Sequence, residues 1–158
     1  MKYRNILRCV IITASVMLGD YPPDVTAQEQ GRDAIYSRFE EYYADTSQAK
    51  IREILDAFGQ HLKANPSLRA FLISYGGKQS CRNEALLRAR LATGYLSKMH
   101  GISSRRSPIL NGGYRQAWVV ELWVGSPGAA LPSPAPTINK KQAVISGNCR
   151  FTPLDASQ

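Results

Sequence analysis

Residues 68–75, Leu-Arg-Ala-Phe-Leu-Ile-Ser-Tyr, form a short apolar run closed by Gly76 and Gly77. A run of this length reads as an inner strand covered on both faces. Such a strand cannot stand alone, so the flanking chain must supply layers to cover it. Upstream, apolar residues recur at Ile51, Ile54, Leu55, Phe58 and Leu62, with Lys50, Arg52, Glu53 and Gln60 off that stripe. This spacing predicts a helix with one buried face. Asp45-Thr46-Ser47-Gln48 supplies cap-type residues at its start, with Gln48 three after Asp45. Asn65-Pro66 ends it, because the residue before a proline avoids the helical region. Downstream, a polar loop is expected over residues 78–83. Residues 84–99 then read as a second helix, with Ala85, Ala89, Ala92, Leu96 and Met99 on one side. Small alanines let such a helix lie close against a sheet. His100 belongs to its last turn, and Gly101 is the expected left-handed stop.

Residues 38–43 are rich in aromatics and suit a short strand or the start of a helix. Residues 107–110 read as another short strand, followed by the tight-turn dipeptide Asn111-Gly112. The clearest strand is residues 117–124. One face carries Trp118, Val120, Leu122 and Val124; the other carries Val119, Glu121 and Trp123. Pro127, Pro132, Pro134 and Pro136 mark residues 126–138 as an extended linker. The C-terminal segment, residues 139–158, is expected to add an edge strand around 143–145. The order strand, helix, strand, helix, strand, strand defines an α/β class, an α+β sandwich with two helices packed on a sheet. The turn at Asn111-Gly112 makes the last strand pair antiparallel and the sheet mixed. Residues 38–125 form the domain.

The N-terminus places Lys2, Arg4 and Arg8 before an apolar run over residues 9–18. A basic start, a short apolar stretch and a small-residue exit describe a secretory signal peptide. The exit falls at Val25-Thr26-Ala27, with cleavage before Gln28 and a polar lead-in over residues 28–37. The apolar run is about half of the ~20 residues that a spanning helix needs. No transmembrane segment is expected in the mature chain. Cleavage takes 27 residues from 158 and leaves 131. Lys2, Arg4 and Arg8 leave with Asp20 and Asp24, so the formal charge falls only from +8 to +7. The basic balance therefore belongs to the domain and favours anionic surroundings. Three cysteines become two, Cys81 and Cys149. An exported chain with two remaining cysteines oxidises them to one disulfide.

Several short motifs in this order resemble the OmpA-like C-terminal domain of bacterial envelope proteins. The helical stripe from Ile51 to Leu62, with its Asn65-Pro66 exit, looks like that family's first helix. Arg88-Ala89, then Ala92, Tyr95-Leu96 and Gly101-Ile102, is similar to its Arg-Ala-x-x-Val-x-x-Tyr-Leu helix and following Gly-Ile. Val120-Glu121-Leu122 matches the Val-Glu of its last strand. The resemblance implies non-covalent binding of peptidoglycan in the periplasm or at the outer membrane. A carboxylate and an arginine would hold the zwitterionic end of the stem peptide, the acid taking its ammonium and the arginine its carboxylate. Arg88 stands where the family arginine belongs. The family's Gly-His-Thr-Asp stretch falls near Tyr75, Gly76, Gly77 and Lys78, and its aspartate becomes Lys78 or Gln79 depending on register. The family's Asn-x-x-Leu-Ser before the arginine is replaced by a stretch holding Cys81, Glu84 and Ala85. Glu84 is the neighbouring carboxylate available to replace the aspartate. The ligand-binding set implied is thus Tyr75, Gly76, Gly77, Lys78, Glu84 and Arg88. The same fold without wall binding, as a protein-interaction or structural module, is the alternative.

Each residue also has a plainer role. Arg88 serves equally as a solvated helix residue, and Gly76-Gly77 as a strand-ending turn. Trp118 and Trp123 lie on opposite strand faces, so at least one belongs to the core. His61 and His100 are far apart, with no metal-ligand spacing, and no cofactor is implied. No Gly-x-Ser-x-Gly elbow or phosphate loop occurs. Glu84 and Glu121 do not form a recognisable acid/base pair, so no enzyme is expected. Arg105-Arg106 and Lys140-Lys141 read as solvated basic pairs, too short and separate for a nucleic-acid surface.

Overall fold

The backbone runs β1 (Ser37–Tyr43), α1 (Gln48–Ala64), β2 (Arg69–Gly76), β3 (Gln79–Arg82), α2 (Glu84–His100), β4 (Ile109–Tyr114), β5 (Val119–Gly125) and β6 (Val144–Asn148). These elements come from a computed structural model that describes residues 36–154. The signal peptide expected over residues 1–27, and all of the lead-in except Tyr36 and Ser37, lie outside the described residues. All described residues belong to one compact unit. The architecture is α+β, as the element order predicts: two helices packed on a mixed sheet of four strands, with a small parallel sheet beside it.

The main sheet has the order β1-β5-β2-β4. β5 lies antiparallel between β1 and β2, while β2 pairs parallel with β4. The sheet is mixed, but not for the expected reason. Asn111 and Gly112 do not make a hairpin turn; both lie inside β4, whose neighbour is β2 and not β5. Gly112 is needed there because a Cβ would overlap the Tyr75 ring on the adjacent strand. Gly113 next to it has φ 84°, a conformation that L side chains rarely adopt. The dipeptide thus marks close packing and a register shift between Ser74 and Tyr75.

Both helices bury most of their apolar stripes, but Met99, expected on the buried side of α2, is exposed. Ile51, Leu55, Phe58 and Leu62 of α1 meet Ala92, Tyr95 and Leu96 of α2 over Leu72, Val120, Leu122 and Val124 of the sheet. Ser47 caps α1 by accepting from the Lys50 amide at 3.2 Å, so the cap is Ser47 and not Asp45. At the other end, Arg106 turns inward and donates to the carbonyls of Leu62, Asn65 and Leu68 at 2.6, 2.7 and 3.0 Å. A cation on these carbonyls satisfies the helix end and complements its dipole. Arg106 is therefore not the solvated residue its basic pair suggests. Gly101 closes α2 in the left-handed conformation, as expected.

On the second sheet face Ile73, Tyr75 and Val119 pack with Leu110 and Trp123, and neither α1 nor α2 contributes to that cluster among the described residues. The proline-rich segment expected as an extended linker reaches this face. The Ala135 amide donates to the Tyr75 hydroxyl at 3.1 Å, and the amides of Thr137 and Ile138 both donate to the Tyr114 carbonyl. Two further expectations change. The polar loop over residues 78–83 contains β3, and the strand near residues 143–145 is β6. β6 pairs in parallel with β3 in a two-stranded sheet of its own and does not extend the main sheet.

Candidate functional site

Asn83 at φ 61° turns the chain from β3 into α2 and sets Glu84 on the first helical turn. The helix N-terminus favours a carboxylate there. The Glu84 side chain is only 7% exposed, and every donor it needs comes from the protein. Oε2 accepts from the Ser80 hydroxyl at 2.8 Å and the Gly77 amide at 3.3 Å. Oε1 accepts from Nε and Nη2 of Arg88 at 3.1 and 2.8 Å, one helical turn on.

Arg88 is enclosed as well. Its guanidinium lies 3.7 Å from the Trp118 ring centroid and 4.4 Å from that of Phe151. Burial pushes its pKa below the usual arginine value, while Glu84 opposes that shift. Tyr42 packs edge-on to Trp118 at 6.2 Å. The Tyr42 hydroxyl is buried and has no hydrogen-bond partner among the described residues. Burial raises its pKa above the ordinary tyrosine value, with the Arg88 charge acting the other way. Tyr42, Ile51, Arg88, Leu91, Trp118 and Leu154 line a small cavity of about 30 Å³ between them.

The six residues implied as ligand-binding are thus distributed over both sides of the sheet. Gly77, Glu84 and Arg88 come together, and Gly76 ends β2 beside them. Lys78 has an exposed side chain at the rim of a depression of about 360 Å³ that Gly77, Gln79, Gln116 and Trp118 also line. Its main chain is tied down, the amide donating to Gln116 and the carbonyl accepting from Val144. Tyr75 lies on the opposite sheet face, packed with Ile73 and Val119. Cys81 in β3 and Cys149 just beyond β6 form a disulfide, with Cα atoms 5.2 Å apart.

Two polar clusters escaped the sequence reading. Glu121, 3% exposed, accepts from Nη2 of Arg115 at 2.8 Å, the Trp123 indole at 3.0 Å and the Tyr75 hydroxyl at 3.3 Å. The signal was an acid in mid-strand, which cannot be buried without donors. On the helical side, Asp56 Oδ1 accepts from the Tyr95 hydroxyl at 2.9 Å and lies 2.8 Å from Nε2 of His100, bolting α1 to α2. Among the described residues, no group of three or more His, Cys, Asp or Glu side chains could hold a metal ion. No helix among them is long and apolar enough to cross a membrane. Comparison with protein-family models, with curated proteins and with solved structures found no match.

Proposed function

We propose that this chain is an exported, non-catalytic binding module of the bacterial envelope, built on an OmpA-like domain, whose partner is a protein and not peptidoglycan. The domain class rests on the quoted motifs and on the β-α-β-α-β-β main-sheet order with two helices on a mixed sheet. Export rests on the N-terminal pattern and is supported by the paired cysteines. The absence of catalysis is supported by the closure of Glu84 and Glu121 on internal donors, which leaves neither poised over a substrate.

One observation carries the choice of partner. Arg88 gives its Nε proton and one Nη2 proton to Glu84, and its guanidinium carbon lies 3.7 Å from the Trp118 ring centroid and 4.4 Å from that of Phe151. That pairing occupies the side-on edge and neutralises the charge, and the remaining Nη1 and Nη2 protons belong to a side chain only 20% exposed. Glu84, with four donors already, has little capacity left for a ligand ammonium. In this reading the family's arginine has become a structural residue.

Isolated peptidoglycan sacculi test this directly. The mature, oxidised protein should remain in the supernatant when sacculi are pelleted at physiological salt. Retention confined to low salt would report only the basic surface and leave the reading standing. Retention at physiological salt that Arg88→Ala abolishes, and that free stem peptide competes away, would overturn it.

A further inference from the structure

We propose that residues 149–154 are a removable strap lying in a peptide-binding groove, and that the Cys81–Cys149 disulfide holds the groove shut. The occupant that replaces the strap is a segment of another exported protein with an aromatic and an aliphatic side chain three residues apart, as in Phe151 and Leu154. This rests on the protein-binding reading above and adds its regulation.

The groove floor does not depend on the strap. Arg88 is oriented by Glu84, and Trp118 and Tyr42 extend from strands of the main sheet or their margins. The strap adds Phe151 on the Arg88 guanidinium and Leu154, 8% exposed, against the main core. The Leu154 carbonyl accepts from Nη1 of Arg52 at a long 3.4 Å. Behind the strap, β6 is exposed at all five residues and is paired with β3 and with the Lys78 carbonyl just before it. An element with so little buried surface opens at low free energy unless it is tethered. The disulfide is that tether, and both of its cysteines are partly exposed.

The strap also fits imperfectly. Tyr42, 3% exposed, is one of the residues lining the cavity with Leu154, and its buried hydroxyl has no hydrogen-bond partner among the described residues. A buried hydroxyl without a partner costs about 1–3 kcal/mol. A ligand whose apolar side chain replaces Leu154 and whose carbonyl or carboxylate oxygen reaches Tyr42 would recover that hydrogen bond. The self-contact is therefore weaker than the best contact this groove can make.

Opening needs a dithiol reductant. Its first thiolate attacks one sulfur of the bridge, giving a mixed disulfide and freeing one cysteine. Its second thiol resolves the mixed disulfide. The products are free Cys81 and Cys149 thiols and the oxidised dithiol, with two electrons and two protons passed to the protein.

The probe is a fluorescein-labelled peptide of residues 148–158 carrying Cys149→Ser, added in trans to the full mature chain and followed by anisotropy. Oxidised wild type should show no saturable binding. Reduction with dithiothreitol should raise affinity at least about tenfold, limited by the high local concentration of the tethered tail. The oxidised double variant Phe151→Ala/Leu154→Ala, which vacates the groove with the disulfide intact, should bind more tightly still. Near-ultraviolet circular dichroism checks that each form is folded. Absence of binding to the folded double variant, or equal affinity for oxidised and reduced wild type, overturns the strap. Failure here without sacculus retention removes the strap alone, whereas Arg88-dependent sacculus retention removes the protein-binding reading itself.

Discussion

Tyr42 and Arg88 show what a single buried position costs and why. Arg88 keeps its charge because Glu84 and two aromatic rings replace the water it loses. Tyr42, beside it, loses water and gains no hydrogen bond among the described residues. Tyr42→Phe should therefore leave stability unchanged or raise it by up to about 1 kcal/mol. It should also change the alkaline limb. Burial raises the Tyr42 pKa above 10.0, so the folded protein holds that proton more tightly than the unfolded chain. The resulting stability is fully present below the unfolded value and is lost as pH climbs through the folded one. Urea unfolding at about pH 8 and about pH 11 should show a smaller loss for Tyr42→Phe than for wild type. A variant that loses more than about 1 kcal/mol at neutral pH would mean the hydroxyl has a partner after all. At this scale the site was half legible. The resemblance singles out Arg88, and proximity in sequence suggests Glu84. Spacing of four on a helix does not say whether such a pair faces a ligand or itself. The answer depends on Trp118, which is remote in sequence, and on the Ser80 and Gly77 donors that close Glu84.

Among the elements, the two helices were legible because each carries a stripe that must be buried against something. Their spacing was not, because it is set by one glycine and one histidine ring. A Cβ on Gly59 of α1 would overlap the His100 ring at the end of α2, and that ring is already held at Asp56. Gly94 on α2 has nothing within 4 Å of its would-be Cβ and is exposed. The same substitution should then have opposite effects. Gly94→Ala should stabilise by about 0.5–1 kcal/mol through helix propensity. Gly59→Ala should destabilise by about 1–3 kcal/mol, as overpacking outweighs the same propensity gain. Paired thermal melts decide it, and two shifts of the same sign would contradict this account of the helix interface. The strands explain the other misreadings. Asn111-Gly112 has hairpin chemistry, but Gly112 is spent on the Tyr75 ring, a contact that only the parallel neighbour β2 creates. β3 is short and half exposed, so it lacks the apolar periodicity that identifies a strand, and nothing in the expected strand near residues 143–145 says that it pairs with β3 and not with the main sheet.

For the whole molecule, sequence pattern established the class and left the covering of each sheet face open. Alternating apolar and polar segments predict helices on a sheet. They do not reveal that both helices share one face while the proline-rich segment reaches the other. The pair Cys81 and Cys149 was the one long-range contact that composition alone could supply, and it ties β3 to the segment just beyond β6. Closing a loop with a sequence separation of 68 would contribute about 4 kcal/mol if the chain unfolded all at once. The exposure of β6 argues against a single unit once the bond is cut. After reduction the tail should open locally while the main sheet stays closed, so the loss of global stability should be nearer 2 kcal/mol than 4. Native-state hydrogen exchange gives the sharper reading. In the reduced protein, amides of Val144–Asn148 should exchange through openings well below the global free energy, while those of β2 and β5 stay at the global limit. In the oxidised protein the gap between the two groups should narrow, because the bridge penalises tail opening. Equal protection of β6 and β2 after reduction would show that the tail is part of the cooperative core, and the strap would then have no independent motion to regulate.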